Sequence, residues 1–146
     1  MRYSLRAVTT LAIVLAASLA RASAPAIQSP LPPLSIAERG ELILQQDDFQ
    51  YRPWSSEQRP GKVHVLQYFP GTMSDSKIFE PFTDRLQQEF DPGAYHVTTI
   101  INLDASLWGT TGFVVGEVKK SKRRFPDATL VLDEEGIGAA HWQLGD

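Results

Sequence analysis

The chain has 146 residues, no cysteine, 42% hydrophobic residues and a formal net charge of −3. That length holds one domain rather than two. The missing cysteine excludes disulfides and thiol redox chemistry, and the acidic balance excludes an overall attraction for a phosphate backbone.

The first residues set the expected compartment. Arg2 and Arg6 make a positive start, Ala7 to Leu19 is apolar apart from Thr9, Thr10 and Ser18, and small residues follow up to Ala24. This is the layout of a secretory leader, and its apolar run is short for a membrane span. Residues 1–24 are therefore read as a signal peptide, cleaved after Ala22 or Ala24. The leader carries three arginines and no acid, so its loss takes the net charge from −3 to −6. The expected location is the periplasm, with no nucleic-acid partner and no stable membrane span after cleavage.

The elements follow in chain order. Residues 25–36, with four prolines between Pro25 and Pro33, form an extended lead-in to a domain at 37–146. Arg39-Gly40 reads as a turn and Glu41 to Leu44 as a short strand. Phe49, Tyr51 and Trp54 fall on an irregular segment. Val63 to Phe69 is a nearly continuous run of β-branched and aromatic residues, which predicts an interior strand covered on both faces. From Ser76 to Phe90 the period becomes helical, with Ile78, Phe79, Phe82, Leu86 and Phe90 on one side. Ser74, Asp75 or Ser76 can cap that helix, and Pro81 should kink or restart it. Tyr95 to Leu103 predicts a second buried strand. A helix from Thr111 to Arg124 should turn Phe113, Val114 and Val118 inward. Its basic end, Lys119 to Arg124, complements the negative end of the helix dipole. Ala128 to Leu132 predicts a third strand and Asp133 to Gly136 a turn. Strand, helix, strand, helix, strand, with long crossovers, is the pattern of an α/β three-layer unit with parallel pairing.

The segment from Gly61 to Pro81 is laid out like that of thiol–disulfide enzymes, where a strand feeds a loop and a helix carrying a proline. Counting back from Pro81 puts Met73 and Ser76 where those enzymes hold their two cysteines. Four stretches extend the likeness: Arg39 to Leu44, Gly61 to Gln67, Thr98 to Asp104, and Leu130 to Gly136 leading into His141 to Leu144. Together they resemble the YtfJ family of small periplasmic proteins with a thioredoxin-like fold. The resemblance implies an α/β thioredoxin-like sandwich without its redox pair and with no assigned activity. Set against that fold, the chain is expected to stop before a final antiparallel strand pair and C-terminal helix. The strand at Val63 to Phe69 would then keep a free edge, a template for intermolecular pairing.

The carboxyl ends of parallel strands share one sheet edge, where ligands bind in open α/β sheets. That edge should gather Gly71, Thr72, Met73, Ser74, Asp75, Ser76, Asn102, Asp104, Asp133 and Glu134. As a ligand edge its candidates are Thr72, Met73, Ser74, Asp75, Ser76, Asn102 and Asp104. The same residue types also serve local caps and turns. His64, His96 and His141 stand at neither ligand nor triad spacing and read as structural. Gly109 to Gly112 before a helix lacks the lysine and length of a phosphate loop. Trp54, Trp108 and Trp142 are core or groove-lining candidates. No catalytic residue, metal or cofactor is assigned. Two function classes stand open: an exported accessory module that binds an envelope protein or peptide, and an enzyme using the edge carboxylates and hydroxyls, with or without a divalent cation. N-terminal sequencing of the protein recovered from the cell envelope is expected to read from Ser23 or Pro25; an intact Met1 in the cytosol would contradict the leader.

Overall fold

The computed structural model describes residues 24–57, 61–72 and 77–145. The lead-in ends by delivering two core side chains, Leu34 and Ile36, both nearly inaccessible to water. Strand β1 (Ser35–Gln45) then turns back on β2 (Asp48–Ser55) through Gln46 and Asp47, with Gln46 at φ 57°. The segment expected to be irregular is thus a strand. Phe49 and Tyr51 alternate with polar neighbours, as a strand at a sheet edge requires, and Pro53 is tolerated because β2 has a partner on one side only.

β1 is not regular throughout. Its register against β2 shifts between Ile36 and Glu41, and Arg39 and Gly40 there have φ of 55° and 63°. At Gly40 a Cβ would stand 2.3 Å from the Arg52 carbonyl oxygen. A glycine is needed for both reasons. Beyond the bulge, Glu41 faces its register partner Arg52. The exposed guanidinium donates from Nε and Nη2 to the buried Glu41 Oε2, at 3.0 and 2.8 Å.

The predicted crossovers hold. β3 (Val63–Pro70), α1 (Glu80–Glu89), β4 (Tyr95–Asn102), α2 (Thr111–Arg124) and β5 (Thr129–Asp133) follow in order, and α3 (Ile137–Trp142) closes the described chain. β3, β4 and β5 are parallel, while β1 is antiparallel to both β2 and β5. The sheet order is β2-β1-β5-β4-β3, so the described residues form an α/β architecture with a five-stranded mixed sheet and three helices, compatible with a thioredoxin-like fold. β3 lies at the sheet edge, where its apolar run suggested an interior position. Its run is explained by its two faces instead, since each meets a different core.

One core holds Leu34, Ile36, Trp54, Ile100, Val131 and Trp142, with Leu66, Tyr68 and Ile137 against them. The other holds Ile101, Leu103, Val114, Val115 and Leu132, with Phe69 and Val118. Strand alternation sends successive residues to opposite cores. Crossovers of one hand over strands that advance steadily put α1 and α2 together on the second face. The six-residue α3 and the lead-in cover the first. Each fully buried leucine or isoleucine contributes roughly 1.5–3 kcal/mol.

The helices depart from expectation in detail. α1 begins at Glu80, so Pro81 sits in the first turn, where its missing N–H costs nothing and no kink is required. Its N-cap is Phe79, with no side-chain cap bond. None of its residues is buried, and Ile78, Phe82 and Phe90 are exposed rather than packed. In α2, Phe113 points outward and Val115 takes the buried place beside Val114. The basic end of α2 is absorbed locally. Lys119 and Arg123 lie over the Phe49 ring, at 5.3 and 4.7 Å from its centroid. Lys122 is buried with Nζ donating to the Ala128 carbonyl at 2.6 Å, and burial lowers its pKa.

Replacing Gly40 with alanine is expected to cost about 1–3 kcal/mol from overlap alone, with backbone strain in addition. Gly116→Ala, where nothing lies within 4 Å, is expected to be neutral or stabilising by up to about 1 kcal/mol. Urea denaturation of both variants checks the contrast.

Candidate functional site

Register alone builds the carboxyl edge. Pro70 pairs with Asn102, and Asn102 with Asp133, so the three parallel strands end level. Backbone bonds tie the exits together: Gly71 N–H donates to the Asn102 carbonyl at 2.8 Å, and Leu103 N–H to the Asp133 carbonyl at 2.8 Å. Gly71 must be small. A Cβ there would meet Ser106 Oγ at 2.7 Å and the Asn102 carbonyl oxygen at 2.9 Å.

Asp133 has no exposure to water. A carboxylate in that position needs donors, and it has them. Its Oδ1 accepts from Ile137 N–H at 2.9 Å, and its Oδ2 from Gly138 N–H at 2.7 Å and from the Tyr68 hydroxyl at 2.9 Å. The Tyr68 hydroxyl in turn accepts from Ala139 N–H at 2.9 Å. The first turn of α3 is therefore capped by a strand-end aspartate and a tyrosine from β3. Burial, followed by the charge of Asp133, pushes the Tyr68 phenol well above its ordinary value. Gly138 lets the two elements meet, since a Cβ there would lie 2.4 Å from the Tyr68 ring. Trp142 completes the lock, edge-on to Tyr68 with centroids 6.3 Å apart and its Nε1 donating to the Pro32 carbonyl.

The other candidates on the edge are also engaged. Asn102 Oδ1 accepts from Asp104 N–H and Ala105 N–H at 3.0 and 3.3 Å, an Asx-type turn. Asp104 is exposed over Gly136. Glu134 is bound by Arg39 through two bonds, and the contact holds its carboxyl below the usual range while raising the guanidinium. Thr72 is half-buried beside Gly71. Met73, Ser74, Asp75 and Ser76 lie outside the described residues.

The remaining sequence candidates scatter. His64 and His96 are register partners, with ring centroids 5.6 Å apart and their Nε2 atoms bonded to Thr98 and Thr129 hydroxyls at 2.9 Å. His141 lies in α3, half-buried. Trp54 and Trp142 are core, while Trp108 is fully exposed. The Gly109–Gly112 stretch leads into α2 without a side-chain cap bond. Among the described residues no three His, Cys, Asp or Glu side chains form a metal-binding set, and no helix is long and apolar enough to cross a membrane.

Sequence reasoning missed a cleft of about 540 Å³ between α1, α2 and the sheet. Such a volume is typical of ligand pockets, which span about 300–1,000 Å³. Its floor is apolar, including Phe69, Val97, Ile101, Val114, Val118 and Leu130, and it reaches the carboxyl edge at Gly71 and Thr72. One polar relay crosses it. Gln67 donates from Nε2 to Thr83 Oγ1 at 3.0 Å, and its Oε1 accepts from Thr99 Oγ1 at 3.2 Å. A glutamine inside an otherwise apolar strand was the available signal. The cleft exists because α1 is held off the sheet, touching it through that bond and through the Phe69–Phe79 ring contact at 5.8 Å.

Residues 26–146 match the family described as "Bacterial protein of unknown function (YtfJ_HI0045)". The chain belongs to that family. It is 33% identical over 117 residues to the "Uncharacterized protein YtfJ" of Escherichia coli strain K12, covering 80% of this chain and 64% of that protein. It is 32% identical over 119 residues to an "Uncharacterized protein" of Haemophilus influenzae, covering 81% of this chain and 65% of that one. The chain thus spans just under two thirds of the length of these curated relatives. No solved structure matches it. For the YtfJ family the matched region contains the whole Tyr68–Asp133–α3 arrangement.

Tyr68→Phe is expected to destabilise by about 1–3 kcal/mol, because Ala139 N–H and the buried Asp133 Oδ2 each lose a partner. Asp104→Asn, an exposed change on the same edge, should stay within about 0.5 kcal/mol of the parent. Equilibrium denaturation of the pair separates a structural edge from an indifferent one.

Proposed function

We propose that this chain is an exported, non-redox member of the thioredoxin-like folds whose work is binding, and that the α1–α2 cleft receives an apolar peptide segment of an envelope protein. The observation that carries the reading is a division of labour in the fold. Among the described residues, three polar groups at the carboxyl edge, where chemistry would be sought, are spent on the chain's own bonds. Asp133 is saturated by Tyr68 and two amides, Asn102 closes its turn, and Glu134 is paired with Arg39. The cleft beside that edge offers a wide apolar floor and opens at Thr72, one of the ligand candidates of the sequence.

Other features support the same reading. A nucleophile needs a base within hydrogen-bond reach. His64 and His96 bond the Thr98 and Thr129 hydroxyls and neither histidine lines the cleft, and the sequence supplies no thiol. The leader at 1–24 is the ground for the periplasmic assignment. A binding role also suits a site floored by valine, isoleucine, leucine and phenylalanine, where burial of apolar surface supplies the affinity.

The test uses a fluorescein-labelled heptapeptide with an apolar centre and serine flanks. Saturable binding to the full chain by anisotropy is expected, together with its loss in Ser121→Trp. Ser121 lines the cleft from α2 and is exposed, so the indole can fill the mouth without disturbing the core. Binding that survives this variant with an unchanged melting temperature would place the peptide elsewhere and remove the reading.

A further inference from the structure

The cleft is charged with one sign. Among the described residues its lining includes Glu80 and Asp84 from α1 and Glu117 from α2, and no lysine, arginine or histidine. Glu80 and Asp84 stand four residues apart, on the same side of the helix. Among the described residues neither forms an ion pair. Glu117 is bonded by Lys120 at 2.6 Å, an exposed i,i+3 pair of the kind worth little in water.

None of the cations in the densest basic run lines the cleft, although Lys120, Lys122 and Arg124 contact its lining residues Glu117, Ala128 and Phe125. Five of the six residues from Lys119 to Arg124 are basic. Lys119 and Arg123 are committed to the Phe49 ring of β2, Lys122 to the Ala128 carbonyl, Lys120 to Glu117, and Arg124 lies over the Phe125 ring at 5.1 Å. Ser121, the uncharged member of the run, is the one that lines the cleft. A helix with that composition could place a cation at the mouth. Its phase places a hydroxyl there.

Accepting the peptide-binding reading above, we propose that the cleft selects peptides in which lysine or arginine flanks an apolar stretch. The apolar side chains enter the floor, and the flanking cation is held at the mouth by Glu80 and Asp84, with Glu117 exchanging its internal partner for the ligand. The low-polarity floor beneath strengthens the attraction relative to open water. The same carboxylates repel a peptide with acidic flanks, so discrimination has both an attractive and a repulsive part.

The experiment compares three fluorescein-labelled heptapeptides with one shared apolar centre and lysine, serine or glutamate flanks, titrated with the full chain. The lysine peptide is expected to bind about five- to tenfold more tightly than the serine peptide at low salt, and the glutamate peptide more weakly than either. The spread should collapse near 1 M salt, where the screening length is about 3 Å. The exposed double variant Glu80→Gln, Asp84→Asn should bring the lysine and serine peptides within about twofold of each other at an unchanged melting temperature. Equal binding of lysine and serine peptides, still blocked by Ser121→Trp, would overturn the cation preference and leave the peptide site standing. A preference that persists in the double variant would overturn it as well. Binding of every peptide unaffected by Ser121→Trp, or no binding at all, would overturn both.

Discussion

One buried carboxylate organises the closed side of the molecule. Asp133 ends the strand β5 with no access to water, and an isolated charge in such a place would cost far more than the domain's stability. Three donors make it tolerable, and they tie two pieces of chain to it. Ile137 and Gly138 contribute amides from the first turn of α3, and Tyr68 contributes its hydroxyl from β3. Because Tyr68 also accepts from Ala139, the phenol and the carboxylate cap the short helix jointly. A helix of six residues has little stability of its own. It persists because its free amides are captured and its Trp142 is buried against Tyr68 and the lead-in.

The sequence was most legible where periodicity and burial agree. The strands at 63–70 and 95–102 and the helix at 111–124 have patterns that no neighbouring segment contradicts. It was least legible where a long-range partner decides. Phe49 to Trp54 contains a proline, a mark against a strand, and becomes one only because β1 turns back on it through a two-residue hairpin. The helical phase of Ile78, Phe82, Leu86 and Phe90 was real, but no residue of α1 is buried, and Ile78, Phe82 and Phe90 are left in water. α3 left a faint local trace, since its caps come from residues four to seventy-one positions away.

The candidate site was half legible. Strand-end logic gathers Thr72, Asn102, Asp104 and Asp133 at one edge, and the register ends Pro70, Asn102 and Asp133 level there. The same logic could not distinguish a group offered to a ligand from one consumed at home. Asp133 and Asn102 are consumed, and the distinction rests on Tyr68, whose role depends on a contact 65 residues away in the chain. The cleft was invisible because a cavity is a property of how far α1 stands from the sheet. Gln67 was its one trace, a carboxamide among apolar neighbours that proved to join Thr83 on the helix to Thr99 on the next strand.

The two sides of the sheet therefore differ in how firmly they are built. On the Asp133 side a charged network, two buried tryptophans and several bonds of long sequence separation make one rigid unit. On the cleft side α2 is packed through Val114 and Val115, while α1 has no buried residue and meets the sheet at the Gln67–Thr83 bond and the Phe69–Phe79 ring contact. Elements with few buried contacts open at a small fraction of the global unfolding free energy. The sheet and α2 thus form a fixed floor and wall, and α1 forms a wall that can yield. On the proposed reading, an apolar segment entering between them would cover Phe69, Val97, Ile101 and Leu130 at the expense of little existing structure. On the same reading, that asymmetry puts binding on the side that can yield and leaves the Asp133 network undisturbed.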